Sequence, residues 1–460
     1  MKQKRNISHV TCAVTTGYLA AMGSLYLLFP GLRGYSSITS EKFPLFWILT
    51  GGYILTALLI QAEGALIGES GLSLRAYLAS TTWPERFCLI YLLLTWVSAL
   101  ASPWFPETIS GVSRQEGALT ITLYCLSFLL VARWGKASRT LLLIWAAGLA
   151  LCCLLSLMQL AGANPLGLYP AGCNYYDGGI RYGGFYLGSI GNVDLLAGLL
   201  ALGIPMLWVA VVRRKERWRF WLLLPLALCL AVLVWMDVLA GLVGVFGGAL
   251  LTLPVVLPVQ KKRRKWLWLL VAAVFLLILL LLFLVDLGGG LFHEIHLMLH
   301  GQASDSFGSG RLYIWRNVLS RVPGHLLLGT GPDTMLYAEI DAFTRYDAAL
   351  GGTIVSQIDV AHNIYLNILY HQGILALLAY LGMLAAAAWQ WLRRSSTDGV
   401  TALLGAGLLG YGIQGFFGIE MFLVSPFFWL TLALLVGRSR RDTNICKRIK
   451  RREQKCGRNC

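Results

Sequence analysis

Twelve long apolar stretches constrain this chain more than any other feature of its sequence. Hydrophobic residues make up 57% of its 460 residues and charged residues only 13%, about half of the roughly 25% that is usual in soluble domains. A helix of about 17–25 apolar residues spans a bilayer. We therefore predict an all-α integral membrane protein with about twelve transmembrane helices. The candidate spans cover residues 9–31, 44–67, 86–104, 116–134, 140–161, 193–212, 219–236, 238–259, 266–285, 363–392, 400–419 and 422–437.

The net charge of +16 is distributed as the topology of a membrane protein requires. If the N-terminus is cytoplasmic and the spans alternate, 30 of the 38 Lys and Arg residues fall on the cytoplasmic side and 8 fall outside. This is the positive-inside asymmetry. It predicts that both termini are cytoplasmic, and it explains the basic balance without nucleic acid as a partner. The tail could also contact anionic membrane lipid, although a solvated topology signal is the simpler interpretation.

The predicted spans divide the chain into four parts. Residues 1–285 carry spans 1–9 and include an external segment at 162–192. The first span is expected to be a retained anchor, because no small-residue cleavage site accompanies it. Residues 286–362 form a large external loop, 363–437 carry spans 10–12, and 438–460 form the basic cytoplasmic tail.

The large loop is predicted to contain short amphipathic helices. Four apolar residues recur at helical spacing along one stripe: Leu312, Trp315, Leu319 and Val322. Leu291–His300 is a second helical candidate. Such helices could lie on the outer membrane surface and cover a groove that opens to lipid.

Arg311 is the first candidate catalytic residue. Ser309 is a plausible N-cap, which would place Arg311 in the first turn of a helix. A purely structural helix favours acidic residues there, whereas an arginine beside free backbone N–H groups suits a phosphate or diphosphate. The alternative is an arginine that extends from the interface to water.

His362 is the second candidate, 51 residues after Arg311 and followed by Asn363. Asp359 could cap the tenth span, which would place His362 in its first turn. A helix N-terminus disfavours the imidazolium, so we expect a neutral ring that can act as a general base. The alternative is an interfacial histidine with no role in catalysis.

Arg181, in the first external segment, is a candidate for binding an anion or a sugar, with extension to water as the alternative. Gly329 and Gly331 are expected to make a tight turn, because their spacing matches neither a dinucleotide fingerprint nor a P-loop. No His, Asp or Glu cluster has metal-ligand spacing. We therefore expect metal-independent chemistry and no cofactor.

At these residues the chain resembles the O-antigen ligase and polymerase superfamily of bacterial membrane glycosyltransferases. The likeness rests on twelve spans, a large loop between the ninth and tenth, the Gly-Arg-x-x-x-Trp segment at Gly310–Trp315 and the His-Asn pair before span 10. Arg-x-x-Gly-x-(x)-Gly-Asn before the sixth span fits more loosely. The chain departs from the family at Trp235–Gly241, where members often carry an arginine and this sequence has Asp237 instead.

The resemblance implies transfer of a glycan from a lipid-linked oligosaccharide, carried on undecaprenyl diphosphate, to a glycan or glycolipid acceptor outside the bacterial cytoplasmic membrane. Arg311 would hold the diphosphate, and His362 would activate the acceptor in an inverting displacement. Arg181, Trp315 and Asn363 are assigned to substrate binding. Polymerase and ligase remain open as alternatives.

Two other functions compete with this hypothesis. A transporter or flippase of lipid-linked saccharides is the first, although the sequence shows no midplane charges or paired broken spans. The second is an inactive assembly scaffold, which the missing arginine suggests.

Overall fold

Helices follow the apolar stretches, because a backbone in lipid must satisfy its own hydrogen bonds. The computed structural model describes residues 7–67, 74–177, 184–213, 216–257, 261–288, 290–347 and 352–456. Its α-helices are α1 (Ile7–Ala21), α2 (Ile38–Leu66), α3 (Leu74–Ala79), α4 (Trp83–Ala101), α5 (Glu107–Ser110), α6 (Ala118–Trp134), α7 (Arg139–Leu160), α8 (Val193–Arg213), α9 (Leu223–Trp235), α10 (Leu239–Val256), α11 (Lys261–Leu284), α12 (Gly290–Leu299), α13 (Phe307–Arg321), α14 (Ile364–Arg394), α15 (Gly399–Gln414) and α16 (Ser425–Cys456). A π-helix covers Met22–Tyr26, and 3₁₀-helices cover Tyr35–Ser37, Arg217–Leu222, Val322–His325 and Met335–Ala338.

Within the described residues, eight helices are long and apolar enough to cross a membrane. They coincide with predicted spans 2, 3 and 5 to 10. The shorter apolar helices α6 and α15 coincide with spans 4 and 11, and α1 and the first part of α16 coincide with spans 1 and 12. The all-α membrane fold is confirmed, whereas the total of twelve spans stays a prediction.

Small residues on α15 let neighbouring helices approach its backbone closely. A Cβ atom at Gly410 would lie 2.2 Å from the carbonyl oxygen of Ala201 on α8, and one at Gly407 would lie 2.5 Å from that of Leu202. Helix α10 meets the same face of α15, because a Cβ at Gly248 would lie 2.8 Å from Gly410 Cα. Such close contacts are the usual way in which membrane helices associate.

The loop over residues 286–362 contains both helices and a hairpin. Helix α12 confirms the helix expected at Leu291–His300. Strands β1 (Phe343–Asp347) and β2 (Gly352–Ser356) pair in an antiparallel hairpin that the sequence analysis did not predict. Both strands are rich in aromatic, threonine or β-branched residues, which favour a pleated backbone. The loop therefore contains a short hairpin in addition to the expected helices.

The apolar face of α13 also differs from the predicted stripe. Ile314, Val318 and Val322 are buried, whereas Leu319 is 52% exposed. The buried face packs on Leu366 and Tyr370 at the start of α14 within a small separate core. Contact with α14, which periodicity within α13 cannot reveal, selects the buried face.

Helix α14 is broken at Gly373, and the large loop docks into the break. Gly373 has φ 81° and ψ 176°, and a Cβ there would lie 2.2 Å from the carbonyl oxygen of Leu327. Backbone N–H groups of Thr330 and Gly331 donate to the carbonyls of Tyr370 and His371, at 3.0 and 2.8 Å. The break therefore exposes helix carbonyls, and the loop satisfies them.

Replacing Gly373 tests this docking. Gly373→Ala is expected to lower the free energy of unfolding by about 1–3 kcal/mol, because alanine disfavours the left-handed backbone and its Cβ would collide with the docked loop. Gly51→Ala in α2 is the matched control, since a Cβ there has nothing within 4 Å. Thermal unfolding in detergent measures both, and equal melting temperatures would contradict the structural role of the break.

Candidate active site

A cavity of about 400 Å³ lies where α8, α10, α13 and the segment before α14 meet. Polar side chains from distant parts of the sequence line it: Asp194, Asp237, Ser309, Arg311, Gln357, Asp359 and His362. Arg311 and His362, which the sequence analysis selected separately, therefore share one cavity. This end of the bundle, where the large loop covers α8 and α10, is called the loop end below.

Arg311 begins the regular part of α13. The three residues before it have left-handed backbone angles, with φ 59°, 59° and 85° at Gly308, Ser309 and Gly310. Ser309 does not cap the helix as predicted, because its own backbone is left-handed and Gly310 lies between it and the first regular residue, Arg311. Gly310 is required as glycine, since a Cβ would lie 2.6 Å from the ring of Phe343.

Other groups of the protein bind only some of the nitrogens of the Arg311 guanidinium. Nη1 donates to the carbonyl of Gly308 at 2.8 Å, and Nη2 lies 3.7 Å from a carboxylate oxygen of Asp194. Nε is buried and has no hydrogen-bond partner among the described residues. This leaves a planar donor group able to bind the oxygens of a phosphate.

His362 lies one residue before the N-cap of α14, not in its first turn as predicted. The cap is Asn363, whose Oδ1 accepts a hydrogen bond from the Leu366 N–H at 3.0 Å. Asp359, the predicted cap, instead pairs with an arginine. His362 has φ 48°, a strained angle for a residue with a side chain, and its Nδ1 is buried with no partner among the described residues.

The imidazole of His362 is held neutral. Its pKa is lowered to about 4, chiefly by burial and next by the positive charge of Arg311. The neutral ring agrees with the prediction, but the predicted cause, a helix N-terminus, is not the one the structure shows. A neutral imidazole keeps a lone pair that can accept a proton.

Arg114 is a site residue that the sequence analysis missed. It lies between α5 and α6, and its Nε and Nη2 donate to the two carboxylate oxygens of Asp359, both at 2.9 Å. Burial raises the pKa of Asp359, but the charge and hydrogen bonds of Arg114 outweigh it and hold that pKa below its usual value. Asp359 precedes His362 by three residues, so the pair fixes the backbone that carries the imidazole. One feature of the sequence could have identified Arg114: it is one of only eight Lys or Arg residues on the predicted external side.

The turn at Gly329 and Gly331 is tight, as predicted, with φ 70° and 108°. It presents Asp333, whose carboxylate accepts hydrogen bonds from the backbone N–H groups of Ser113 and Arg114, at 3.1 and 2.8 Å. The loop docked into α14 therefore also orients Arg114.

Trp315 and Asn363 hold the backbone on either side of His362. The indole N–H of Trp315 donates to the carbonyl of Ala361 at 2.9 Å, and Asn363 caps α14. Neither is among the residues that line the cavity. These contacts support positioning roles, and direct contact with substrate stays a prediction for both.

Arg181 lies outside the described residues, so its assignment to substrate binding stays a prediction. Gly184 and Phe185, which follow it closely in the sequence, line the cavity. The first external segment therefore reaches the site.

The segment that departs from the family, Trp235–Gly241, also reaches the cavity, where Asp237 contributes a carboxylate. Asp237 has φ 49°, and with Ser309 and His362 it accounts for three of the six non-glycine residues that have a left-handed backbone in the described chain. Strain of this kind persists only where the surrounding structure imposes it, and it concentrates at functional sites.

The carboxylates at the cavity have different partners. Asp359 is bound by Arg114, Asp194 lies beside Arg311, and Asp237 comes from the turn before α10. In the part of the chain that the structure describes, no group of three or more His, Cys, Asp or Glu side chains is arranged to hold a metal ion.

Comparison with known families bears on most of the residues that line this cavity. Residues 224–381, 158 of the 460, match the family described as O-antigen ligase. This match confirms the resemblance to the O-antigen ligase superfamily. The O-antigen ligase segment contains Asp237, Arg311 and His362, whereas Arg114 and Asp194 precede it. A comparison with curated proteins finds no match.

The ion pair between Arg114 and Asp359 can be tested by stability. Arg114→Ala leaves a largely buried carboxylate without its partner and is expected to reduce the free energy of unfolding by about 1–3 kcal/mol. The double variant Arg114→Ala with Asp359→Asn should recover part of this loss, because the unpaired charge is gone.

Arg316→Ala is the matched control, because Arg316 is 67% exposed and pairs with Asp305 at the surface. It should change stability by less than about 0.5 kcal/mol. If both arginine variants unfold at the same temperature, Arg114 does not hold the segment before α14.

Proposed function

We propose that this protein is a membrane glycosyltransferase that transfers a glycan from undecaprenyl diphosphate to an acceptor hydroxyl in the assembly of cell-surface polysaccharide. One observation carries the proposal: Arg311 and His362 line one cavity, and each has a buried nitrogen without a partner among the described residues. Buried polar atoms are nearly always hydrogen-bonded, so two such atoms at one cavity support a ligand. The O-antigen ligase match supports the same reaction class.

The donor diphosphate is assigned to Arg311. Its ion pair with Asp194 is loose, at 3.7 Å and partly exposed, so a phosphate oxygen could replace it at little cost. Asp194 and Asp237 would repel the diphosphate, which favours binding on the Nε side of the guanidinium. There the arginine would also stabilise the charge that develops on the leaving diphosphate.

The acceptor is assigned to His362. The imidazole would take the proton from the acceptor hydroxyl, and the oxygen would form a bond to the anomeric carbon of the donor glycan. The bond between that carbon and the diphosphate oxygen breaks, and undecaprenyl diphosphate leaves with the electron pair. A single displacement of this kind inverts the anomeric configuration, and as proposed it requires no metal or cofactor.

The charge distribution supports a reaction on the external face of the membrane. If the positive-inside rule sets the topology, both termini are cytoplasmic and the loop end faces outward from the bacterial cytoplasmic membrane. Lipid-linked glycans on that face would then have access to the cavity.

Two substitutions test the proposal directly. Arg311→Ala and His362→Ala are each expected to lower the rate of glycan transfer by about 10²–10⁴-fold, since one removes the cation at the leaving group and the other removes the base. The measurement is product formation by the purified protein in liposomes that contain the lipid-linked glycan of the producing bacterium.

Arg316→Ala and His325→Ala serve as controls, because both residues are exposed. Full activity in both catalytic variants would refute the proposed site. Passage of the glycan across the bilayer without a new glycosidic bond would instead indicate a flippase.

The pH dependence of the reaction follows from the state of His362. Its pKa is about 4, so the base is neutral above that value and protonated below it. We expect kcat/KM for the lipid-linked donor, which reports the groups of the free protein, to be flat from about pH 5 to 8 and to fall as pH decreases through about 4, whereas an unperturbed histidine would give a fall near 6.5. A measured midpoint near 6.5 would show that His362 is not the base in this environment.

A further inference from the structure

The three residues before Arg311, Gly308–Gly310, form one turn of left-handed backbone. Glycine adopts such angles at little cost, but Ser309 carries a side chain, and at φ 59° and ψ 39° its backbone is strained. The turn leads directly into Arg311, so its shape decides where the guanidinium lies. Groups that hold the turn therefore also fix the guanidinium at the cavity.

A carboxylate from another helix holds the first residue of this turn. Glu294, in α12, accepts a hydrogen bond from the Gly308 N–H through Oε2 at 2.9 Å. The carbonyl oxygen of the same glycine accepts from Nη1 of Arg311 at 2.8 Å. Gly308 is thus bound by a carboxylate through its N–H and by a guanidinium through its carbonyl. Hydrogen bonds with one charged partner are about twice as strong as neutral ones, so both contacts restrain this flexible residue.

The rest of the turn has only neutral support. The Gly310 N–H donates to the carbonyl of Ser306 at 3.1 Å, and the ring of Phe343 packs where a Cβ of Gly310 would lie. Within the described parts of the chain, Glu294 is the one charged group outside α13 that forms a hydrogen bond with the turn. Loss of its carboxylate would therefore remove the strongest external restraint.

Contacts with α11 keep Glu294 in place. The two histidines on either side of it along α12 both reach the end of α11 or the residues just after it. His293 Nδ1 lies 2.6 Å from a carboxylate oxygen of Asp286, and His296 donates from Nδ1 to the carbonyl of Leu282 at 2.9 Å. The carboxylate therefore comes from a helix that is itself fixed, which is what precise positioning of a second group requires.

We propose that Glu294 is a positioning residue for Arg311. Its carboxylate holds Gly308, and the Gly308 carbonyl holds Nη1 of Arg311, so that Nε, which has no partner among the described residues, is left for the donor diphosphate. This inference rests on the proposed function. It assigns Glu294 to the donor side of the reaction and leaves the acceptor to His362.

The simpler alternative is that Glu294 only stabilises the fold at the start of α13. A backbone N–H needs an acceptor wherever water is excluded, and a carboxylate suits the positive end of a helix dipole. Loss of such a contact would lower the melting temperature but would leave donor kinetics of the folded protein unchanged. The two roles therefore differ in a measurable way.

Glu294→Ala and Glu294→Gln separate these roles, because alanine removes the acceptor whereas glutamine keeps an oxygen at the same position along the side chain. We expect Glu294→Ala to lower kcat/KM for the lipid-linked donor by about 10- to 100-fold, the loss that a misplacement of about 1 Å can cause. Glu294→Gln should recover most of the rate. Glu107→Ala is the matched control, because Glu107 is an exposed glutamate that does not line the cavity.

Thermal unfolding in detergent shows whether each variant is folded, and the kinetics are compared per folded molecule. Wild-type donor kinetics in Glu294→Ala would overturn the proposal. A loss in Glu294→Gln as large as that in Glu294→Ala would do the same, since an accepting oxygen would then not suffice.

Binding of undecaprenyl diphosphate, the product that leaves, gives a second measurement that does not depend on transfer. Its dissociation constant for the purified protein in nanodiscs should rise several-fold in Arg311→Ala and in Glu294→Ala. The double variant should bind no more weakly than Arg311→Ala, because Glu294 acts through that arginine.

The binding data distinguish failure of this inference from failure of the proposed function. If Arg311→Ala weakens binding but Glu294→Ala does not, or if Glu294→Ala weakens binding equally with and without Arg311, only the role of Glu294 is overturned. If Arg311→Ala binds undecaprenyl diphosphate as tightly as wild type, the donor is not held by Arg311, and both proposals are overturned.

Discussion

The site depends on the break in α14 and on the docking of the large loop into it. An unbroken helix would have no free carbonyls at Tyr370 and His371, and the loop could not donate to them. Because the loop docks there, Asp333 reaches the turn between α5 and α6 and binds the backbone of Arg114. Arg114 in turn binds Asp359, three residues before His362. A backbone irregularity at Gly373 thus sets the position of an imidazole just before the start of the same helix, through a series of hydrogen-bonded groups.

This chain of contacts explains how a strained residue is maintained. His362 has a left-handed backbone, which costs about 1–3 kcal/mol and persists only where the surrounding structure imposes it. On one side, Ala361 is held by Trp315 and the segment by the pair of Arg114 with Asp359. On the other, Asn363 caps α14 and leaves no freedom to relax. The aromatic and amide residues of the family motifs therefore have a clear physical task, since they fix the backbone around the base.

Sequence reasoning identified the membrane helices, and it selected Arg311 and His362, which line one cavity, because the signals for all of these are local. Apolar length identifies spans, and an arginine or a histidine near a predicted helix start is visible in a few residues of sequence. It missed Arg114 and misassigned Asp359, because that pair joins residues 245 positions apart and no local pattern records it. The buried face of α13 was also misjudged, since contact with α14 decides it. The hairpin was missed for another reason: its strands are short and lie within a loop whose neighbouring segments have helical periodicity.

The positive charge of Arg311 links the two halves of the proposed reaction. In the free protein, burial and then this positive charge lower the pKa of His362, which keeps the imidazole neutral and also makes it a weak base. A diphosphate bound to Arg311 would offset that charge, and the proton affinity of the imidazole would rise as the donor arrives. The base would then be strongest when a leaving group is in place and weaker when the cavity is empty. Asp194 holds Arg311 in the absence of donor and would be released to water or to the substrate when the diphosphate replaces it. In the proposed reaction, one arginine would in this way both bind the donor and time the activation of the acceptor.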